Sequence, residues 1–199
     1  MTKSLDFYFD FGSPAAYLAF TQLPKICAET GASINWLPML LGGVFQATGN
    51  SSPATVPAKG KYMFGDLQRF AARYGVPFKH NPFFPINTLM LMRGAVGLQL
   101  RNDDRFGAYV KAIFEAIWVN GKNLNDLAVT GSVLHDAGFD AAAVLALVSQ
   151  QDVKDRLKVL TQQAVERGVF GAPTMFVGQA MFWGQDRLDF VRDALKDLK

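Results

Sequence analysis

The sequence predicts an α/β fold divided in two by an all-helical insertion. Three observations predict it. An N-terminal segment alternates apolar and polar residues, then passes into a helical stretch and a second strand pattern. From about residue 61 to 166 only helical patterns occur. Strand patterns return only at Thr174–Val177 and Ala180–Trp183, ahead of a final helix.

Leu5, Phe7, Phe9 and Phe11 alternate with Asp6, Tyr8 and Asp10, the period of a strand. Gly12-Ser13-Pro14 then starts a helix, with Ser13 as N-cap and Pro14 at the first helical position. Ala16, Phe20, Leu23 and Cys27 form one face of that helix. Pro24 is expected to kink it and Gly31 to end it. Residues 34–37 read as a second strand. Such a strand-helix-strand unit implies parallel strands and a right-handed crossover. Residues 42–60 are rich in Gly, Ser, Pro and Thr and read as a long loop, a kind of segment that often carries function. Phe106, Val110, Ile113 and Ile117 make one helical stripe. Val153, Leu157, Leu160 and Ala164 make another, on a helix ending at Gly168. Gly178-Gln179 predicts a tight hairpin between the last two strands. The final helix, about 185–198, carries Leu188, Val191 and Leu195 on one face. The order β-α-β, helical insert, α-β-β-α is that of a thioredoxin-like fold. Residues 1–41 and 153–199 would form the thioredoxin-like domain, and 42–152 the loop and the inserted helical domain.

Composition narrows the function classes. The net charge of +3 is mild and its lysines and arginines are scattered, which excludes a dense nucleic-acid patch but suits anionic substrates. A single cysteine, Cys27, excludes an internal disulfide, a Cys-x-x-Cys centre and a cysteine-rich metal site. It sits on the apolar face of the first helix and reads as packing. His80 and His135 are far apart and lack ligand spacing, so no metal is expected. The first residues carry no signal-peptide pattern, and no run of about 18 apolar residues spans a membrane. The expectation is a cytoplasmic protein without nucleic-acid or membrane partners.

Ser13 is the leading candidate for chemistry. A strand-to-helix turn with a reactive position at the helix start, plus a distant Ala172-Pro173-Thr174, is how thioredoxin-like folds hold a thiol. Here a serine stands where a redox enzyme would have cysteine, so the sulfur is expected from a ligand, glutathione. A hydroxyl at a helix N-terminus can donate to a bound thiolate, and the first-turn N–H groups add positive potential. A free thiol has a pKa of about 8.5, and such sites lower it by one or more units. Pro173 is expected to be cis, with Ala172 pairing with the extended backbone of the ligand. Gly184, Gln185, Asp186 and Arg187 open the last helix. Asp186 suits the γ-glutamyl amine, while Gln185 and Arg187 suit its carboxylate. Phe45, Phe83, Phe84, Met90 and Met92 are candidates for an apolar pocket for a bicyclic substrate.

The runs Phe7-Tyr8-Phe9-Asp10-Phe11-Gly12-Ser13-Pro14, Gly49-Asn50, Asp66-Leu67-Gln68-Arg69, Val169-Phe170-Gly171-Ala172-Pro173-Thr174-Met175-Phe176 and Trp183-Gly184-Gln185-Asp186-Arg187-Leu188 resemble the 2-hydroxychromene-2-carboxylate isomerases. These are relatives of the kappa-class glutathione transferases. The resemblance spans nearly the whole chain. It implies a glutathione-dependent enzyme of naphthalene-type aromatic catabolism, interconverting 2-hydroxychromene-2-carboxylate and trans-o-hydroxybenzylidenepyruvate and regenerating glutathione. It implies further that Asn50 contacts glutathione, that Lys59 meets its glycyl carboxylate, that Asn87 helps hold the organic substrate, and that the protein is a homodimer. Asn87 equally suits a helix cap near Thr88. The loop Leu40-Leu41-Gly42-Gly43-Val44-Phe45 has no charge, so it offers no clamp for the substrate carboxylate. Two alternatives stand beside the isomerase: a kappa-type transferase, and a thiol- or peptide-binding module without turnover.

Overall fold

A four-stranded mixed sheet of order β2-β1-β3-β4 forms the centre of the computed structural model, which describes residues 3–198. Met1 and Thr2, where the chain leads into its first strand, and Lys199 lie outside the described residues. The elements β1 (Ser4–Phe9), α1 (Pro14–Thr30) and β2 (Ser33–Pro38) form the expected unit, with β1 and β2 parallel. The inserted helices follow as α2 (Leu41–Thr48), α3 (Pro57–Tyr74), α4 (Leu89–Leu100), α5 (Phe106–Trp118), α6 (Leu127–Asp136) and α7 (Ala141–Ser149). Then α8 (Gln151–Glu166) leads to β3 (Thr174–Val177), β4 (Ala180–Trp183) and α9 (Leu188–Asp197). β3 runs antiparallel to both β1 and β4. The expected domain boundary at 153 falls inside α8.

Alternation in β1 sorts its side chains onto two cores. Leu5, Phe7 and Phe9 are fully buried in a large cluster that also takes in α1, α9 and the inserted helices. Tyr8 faces the other way, into a smaller cluster with Met39, Val44, Ala164, Val169 and Phe176. Each fully buried large side chain stabilises the fold by about 1.5–3 kcal/mol. The large cluster joins sheet and insertion into one core, and hydrogen bonds cross the same boundary. Trp118 of α5 donates through Nε1 to the Phe11 carbonyl at 2.8 Å, and the Tyr17 hydroxyl of α1 donates to the Pro77 carbonyl at 2.7 Å.

α1 runs from Pro14 to Thr30 with Pro24 inside it, and Gly31 ends it as expected. Two expectations are corrected. The first strand ends at Phe9, because Asp10 and Phe11 already belong to the turn into α1. Residues 42–60 are not one loop: they hold most of α2, a 3₁₀ turn at Pro53–Thr55 and the start of α3. Two adjacent glycines cost a helix about 1 kcal/mol each, so α2 has little local propensity. Its first N–H groups are satisfied from far away instead. Leu40 N donates to Thr161 Oγ1 at 2.9 Å and Leu41 N to Asp10 Oδ2 at 2.8 Å. Gly43 permits the close approach to α8 that this needs, since a Cβ there would lie 3.2 Å from Thr161 Cγ2.

Candidate active site

The turn between β1 and α1 carries the site. Ser13 N donates to the Asp10 carbonyl at 3.0 Å, closing a four-residue turn. Ser13 is extended, caps α1 by accepting from Ala16 N at 3.1 Å, and is only 5 % exposed. Its hydroxyl proton goes to the Ala172 carbonyl at 2.8 Å. Pro14 has no N–H, and the Ala16 and Tyr17 amides are bound by Ser13. The Ala15 N–H is therefore the first-turn donor left without a partner among the described residues. The peptide between Ala172 and Pro173 is cis, as expected.

A cleft of about 850 Å³ opens in front of this turn, within the size range of small-molecule sites. One wall is Ser13, Pro14 and Ala15 with Gly171 and Ala172. A second comes from α2 and α3, with Phe45, Asn50, Lys59, Tyr62 and Met63. A third is Trp183, Gly184, Gln185 and Asp186. Phe84 and Ile86 close the apolar end. Lys59 is the one cation among the lining residues, while Asp186 lies on the third wall. Asp10 and Asp66 also line it, so the lining carries one cation and three carboxyls, is peptide-like at Ala172 and is otherwise largely apolar.

Eight predicted site residues meet in this cleft: Ser13, Phe45, Asn50, Lys59, Ala172, Gly184, Gln185 and Asp186. Some are already engaged by the protein. Asn50 Nδ2 donates to the Phe170 carbonyl at 2.8 Å, tying its loop to the segment before Ala172. Half-buried Tyr74, its phenol pushed up to about 12 by partial burial and by Asp189 and Asp186, donates to the Gln185 carbonyl at 2.7 Å. Residues 185–187 form a 3₁₀ turn ahead of α9 and not its first turn.

Three predicted site residues are placed elsewhere. Arg187 is not part of the lining: its guanidinium pairs with Asp186 Oδ2 at 2.6 Å, and adjacency in sequence made that local pairing easier than a reach into the cleft. Pro173 is also outside the lining, and it supports Ala172 by accepting from Gly184 N at 3.0 Å. Asn87 is exposed; its Oδ1 accepts from Leu89 N at 3.1 Å at the start of α4, and its own N–H donates to Asn125 Oδ1. Its side chain thus closes a local turn just before α4, whose N-cap residue is Thr88. Of the wider apolar set, Phe45 and Phe84 line the cleft, Phe83 is exposed and Met92 is fully buried in the core. Cys27 is buried, with its thiol pushed up to about 11 by burial, and it takes no part in the lining.

Sequence reasoning missed Asp10, Ala15, Tyr62, Met63 and Trp183 as lining residues. Asp10 left a signal: a carboxylate at the end of a phenylalanine-rich strand, three residues before Ser13. It is 1 % exposed and accepts from Gly12 N and Leu41 N, each at 2.8 Å. Burial raises its pKa, and those hydrogen bonds oppose the rise. Trp183 carried no local signal, since it reads as the last residue of a strand.

The chain matches the DSBA-like thioredoxin domain family over residues 4–196. It is 38% identical over 199 residues to a 2-hydroxychromene-2-carboxylate isomerase of Sphingobium xenophagum, covering 99% of this chain and 100% of that one. A glutathione S-transferase kappa 2 of Caenorhabditis elegans is 28% identical over 208 residues, covering 98% and 92%. The solved structure of a 2-hydroxychromene-2-carboxylate isomerase superposes with a TM-score of 0.86 at 33% identity, covering 98% of this chain and 95% of that one.

Proposed function

The chain belongs to the DSBA-like thioredoxin family and, within it, to the 2-hydroxychromene-2-carboxylate isomerases, and from that membership we propose that it is a glutathione-dependent isomerase of an aromatic carboxylate. The reading takes the substrate to be 2-hydroxychromene-2-carboxylate, converted to trans-o-hydroxybenzylidenepyruvate in naphthalene-type catabolism in the cytoplasm.

One observation carries the cofactor assignment. The cleft presents a hydroxyl, a free helix N–H and the Gly171–Ala172 backbone, groups suited to a thiol peptide, yet its lining contains no cysteine. The donor set fits glutathione. Ala172 offers backbone groups to the middle of an extended peptide. Lys59 offers a cation to one carboxylate, and Asp186 an anion to the α-amine at the other end. Asn50, Gln185 and Gly184 line the path between. When bound, glutathione supplies a nucleophilic sulfur whose reversible addition gives a carbon–carbon double bond temporary single-bond character.

The protein's residues prepare that chemistry. Ser13 Oγ gives up its bond to the Ala172 carbonyl and donates to the thiolate, with the Ala15 N–H as second donor. The released Ala172 carbonyl is then available to the peptide. Phe45, Tyr62, Met63, Phe84 and Trp183 exclude water and hold a bicyclic ring system.

The test follows the ultraviolet spectrum of 2-hydroxychromene-2-carboxylate with purified protein, with and without glutathione. Approach to an equilibrium mixture only with glutathione, and glutathione recovered intact, supports the isomerase. Consumption of glutathione into a stable adduct instead supports a kappa-type transferase, the reading favoured by the C. elegans relative. Binding without turnover would identify a thiol-binding module.

A further inference from the structure

Asp10 is a buried carboxyl that the scheme above does not use. It lines the cleft within the turn that presents Ser13. Among the described residues no ion pair reaches it, and its donors are Gly12 N and Leu41 N. The elements packed against it bring no titratable group. The turn at residues 11–13 and the whole of α2 are uncharged, and α4 approaches through Thr88. The charged groups elsewhere in the lining are Lys59, Asp66 and Asp186.

A carboxylate has about four acceptor sites, and Gly12 N and Leu41 N take two of these. That leaves open acceptor capacity on a group in the cleft wall. A thiolate formed beside Ser13 would put a second negative charge near a buried carboxylate, an arrangement that like-charge repulsion forbids unless one of the two takes a proton.

We propose that Asp10 is the proton acceptor for the bound thiol. The inference rests on the glutathione reading. The S–H bond of glutathione breaks, an O–H bond forms on an open site of the Asp10 carboxylate, and the electron pair stays on sulfur. No electrons are exchanged, and the pair keeps a single negative charge throughout. The first turn of α1 and the Ser13 hydroxyl favour the charge on sulfur. Burial without a cation disfavours it on Asp10. Both donors to Asp10 survive its protonation, so the turn and the start of α2 stay in place.

The measurement is a proton count. Glutathione is titrated into the protein at neutral pH in two buffers of different ionisation enthalpy, with the ultraviolet thiolate band recorded alongside. A free thiol with a pKa of about 8.5 enters mostly protonated. The expected result is a full thiolate band with no proton released to the buffer. Asp10→Asn is expected to release one proton per thiolate formed. A full band with one proton released by the unmodified protein overturns the proposal and leaves the glutathione reading standing. No release from Asp10→Asn also overturns it, because the proton then has another acceptor. Absence of glutathione binding overturns both. Should Asp10→Asn not fold, the count on the unmodified protein decides alone.

Discussion

At Ser13 a single oxygen caps a helix and faces the cleft. The cap is worth about 1 kcal/mol, whereas a hydrogen bond to a charged group is worth about 1.5–3 kcal/mol. Ser13→Ala should therefore lower kcat/KM by about 10- to 100-fold while costing the fold only about 1 kcal/mol. Kinetics and the thiolate band, set against a urea titration, separate the two effects, and retained activity with a normal band would refute the role. Asp10 gives a pH prediction. Its folded pKa is raised from 3.8 by burial, so its stabilising contribution is complete below 3.8 and is lost as pH rises through the folded value. The urea midpoint of the unmodified protein should then fall, relative to that of Asp10→Asn, as pH climbs from 3.8 to the raised folded value. Parallel midpoints would show that Asp10 is not perturbed. The places of Ser13, Ala172 and Asp186 in the cleft were legible, because turn chemistry and motif order set them. Arg187 and Asn87 were not, because each is consumed by a short-range partner, Asp186 and Leu89 N, that motif reading does not weigh.

Among the elements, the β3–β4 hairpin was readable to the residue: two short apolar runs flank Gly178, which adopts a φ of +58°. α2 was unreadable for the opposite reason. Its first N–H groups depend on Asp10 and Thr161, partners 31 and 121 residues away, and local propensity argues against it. The 3₁₀ turn before α9 is set by Gly184, whose φ of +98° suits glycine and not L side chains. A Cβ there would also collide with Asp186 Oδ1. Gly184→Ala should displace the Asp186 carboxylate from the cleft without touching Ser13. We expect the KM for glutathione to rise about 10-fold, the loss of one charge-assisted contact, with kcat at saturating glutathione nearly unchanged. A fall in kcat with an unaltered KM would place Asp186 outside the glutathione site.

Across the whole molecule, the cleft depends on the insertion staying docked. Ser13 and Ala172 come from the sheet side, while Phe45, Lys59, Tyr62 and Phe84 come from the inserted segment. The shared core and the Trp118–Phe11 and Tyr17–Pro77 hydrogen bonds hold the two together. A boundary crossed by so much buried surface should not open separately, so unfolding is expected as one cooperative transition. Far-ultraviolet circular dichroism and tryptophan fluorescence should give coincident urea curves. Trp118→Phe keeps most of the apolar volume but leaves the Phe11 carbonyl unpaired beside Ser13, at a cost of about 1–3 kcal/mol. Both curves should then move together to lower urea, and glutathione should move them back together, since a ligand in the cleft binds only the docked form. Two separate transitions, with fluorescence preceding circular dichroism, would mean that the helical insertion unfolds on its own, and the cleft would then be an interface that assembles on binding.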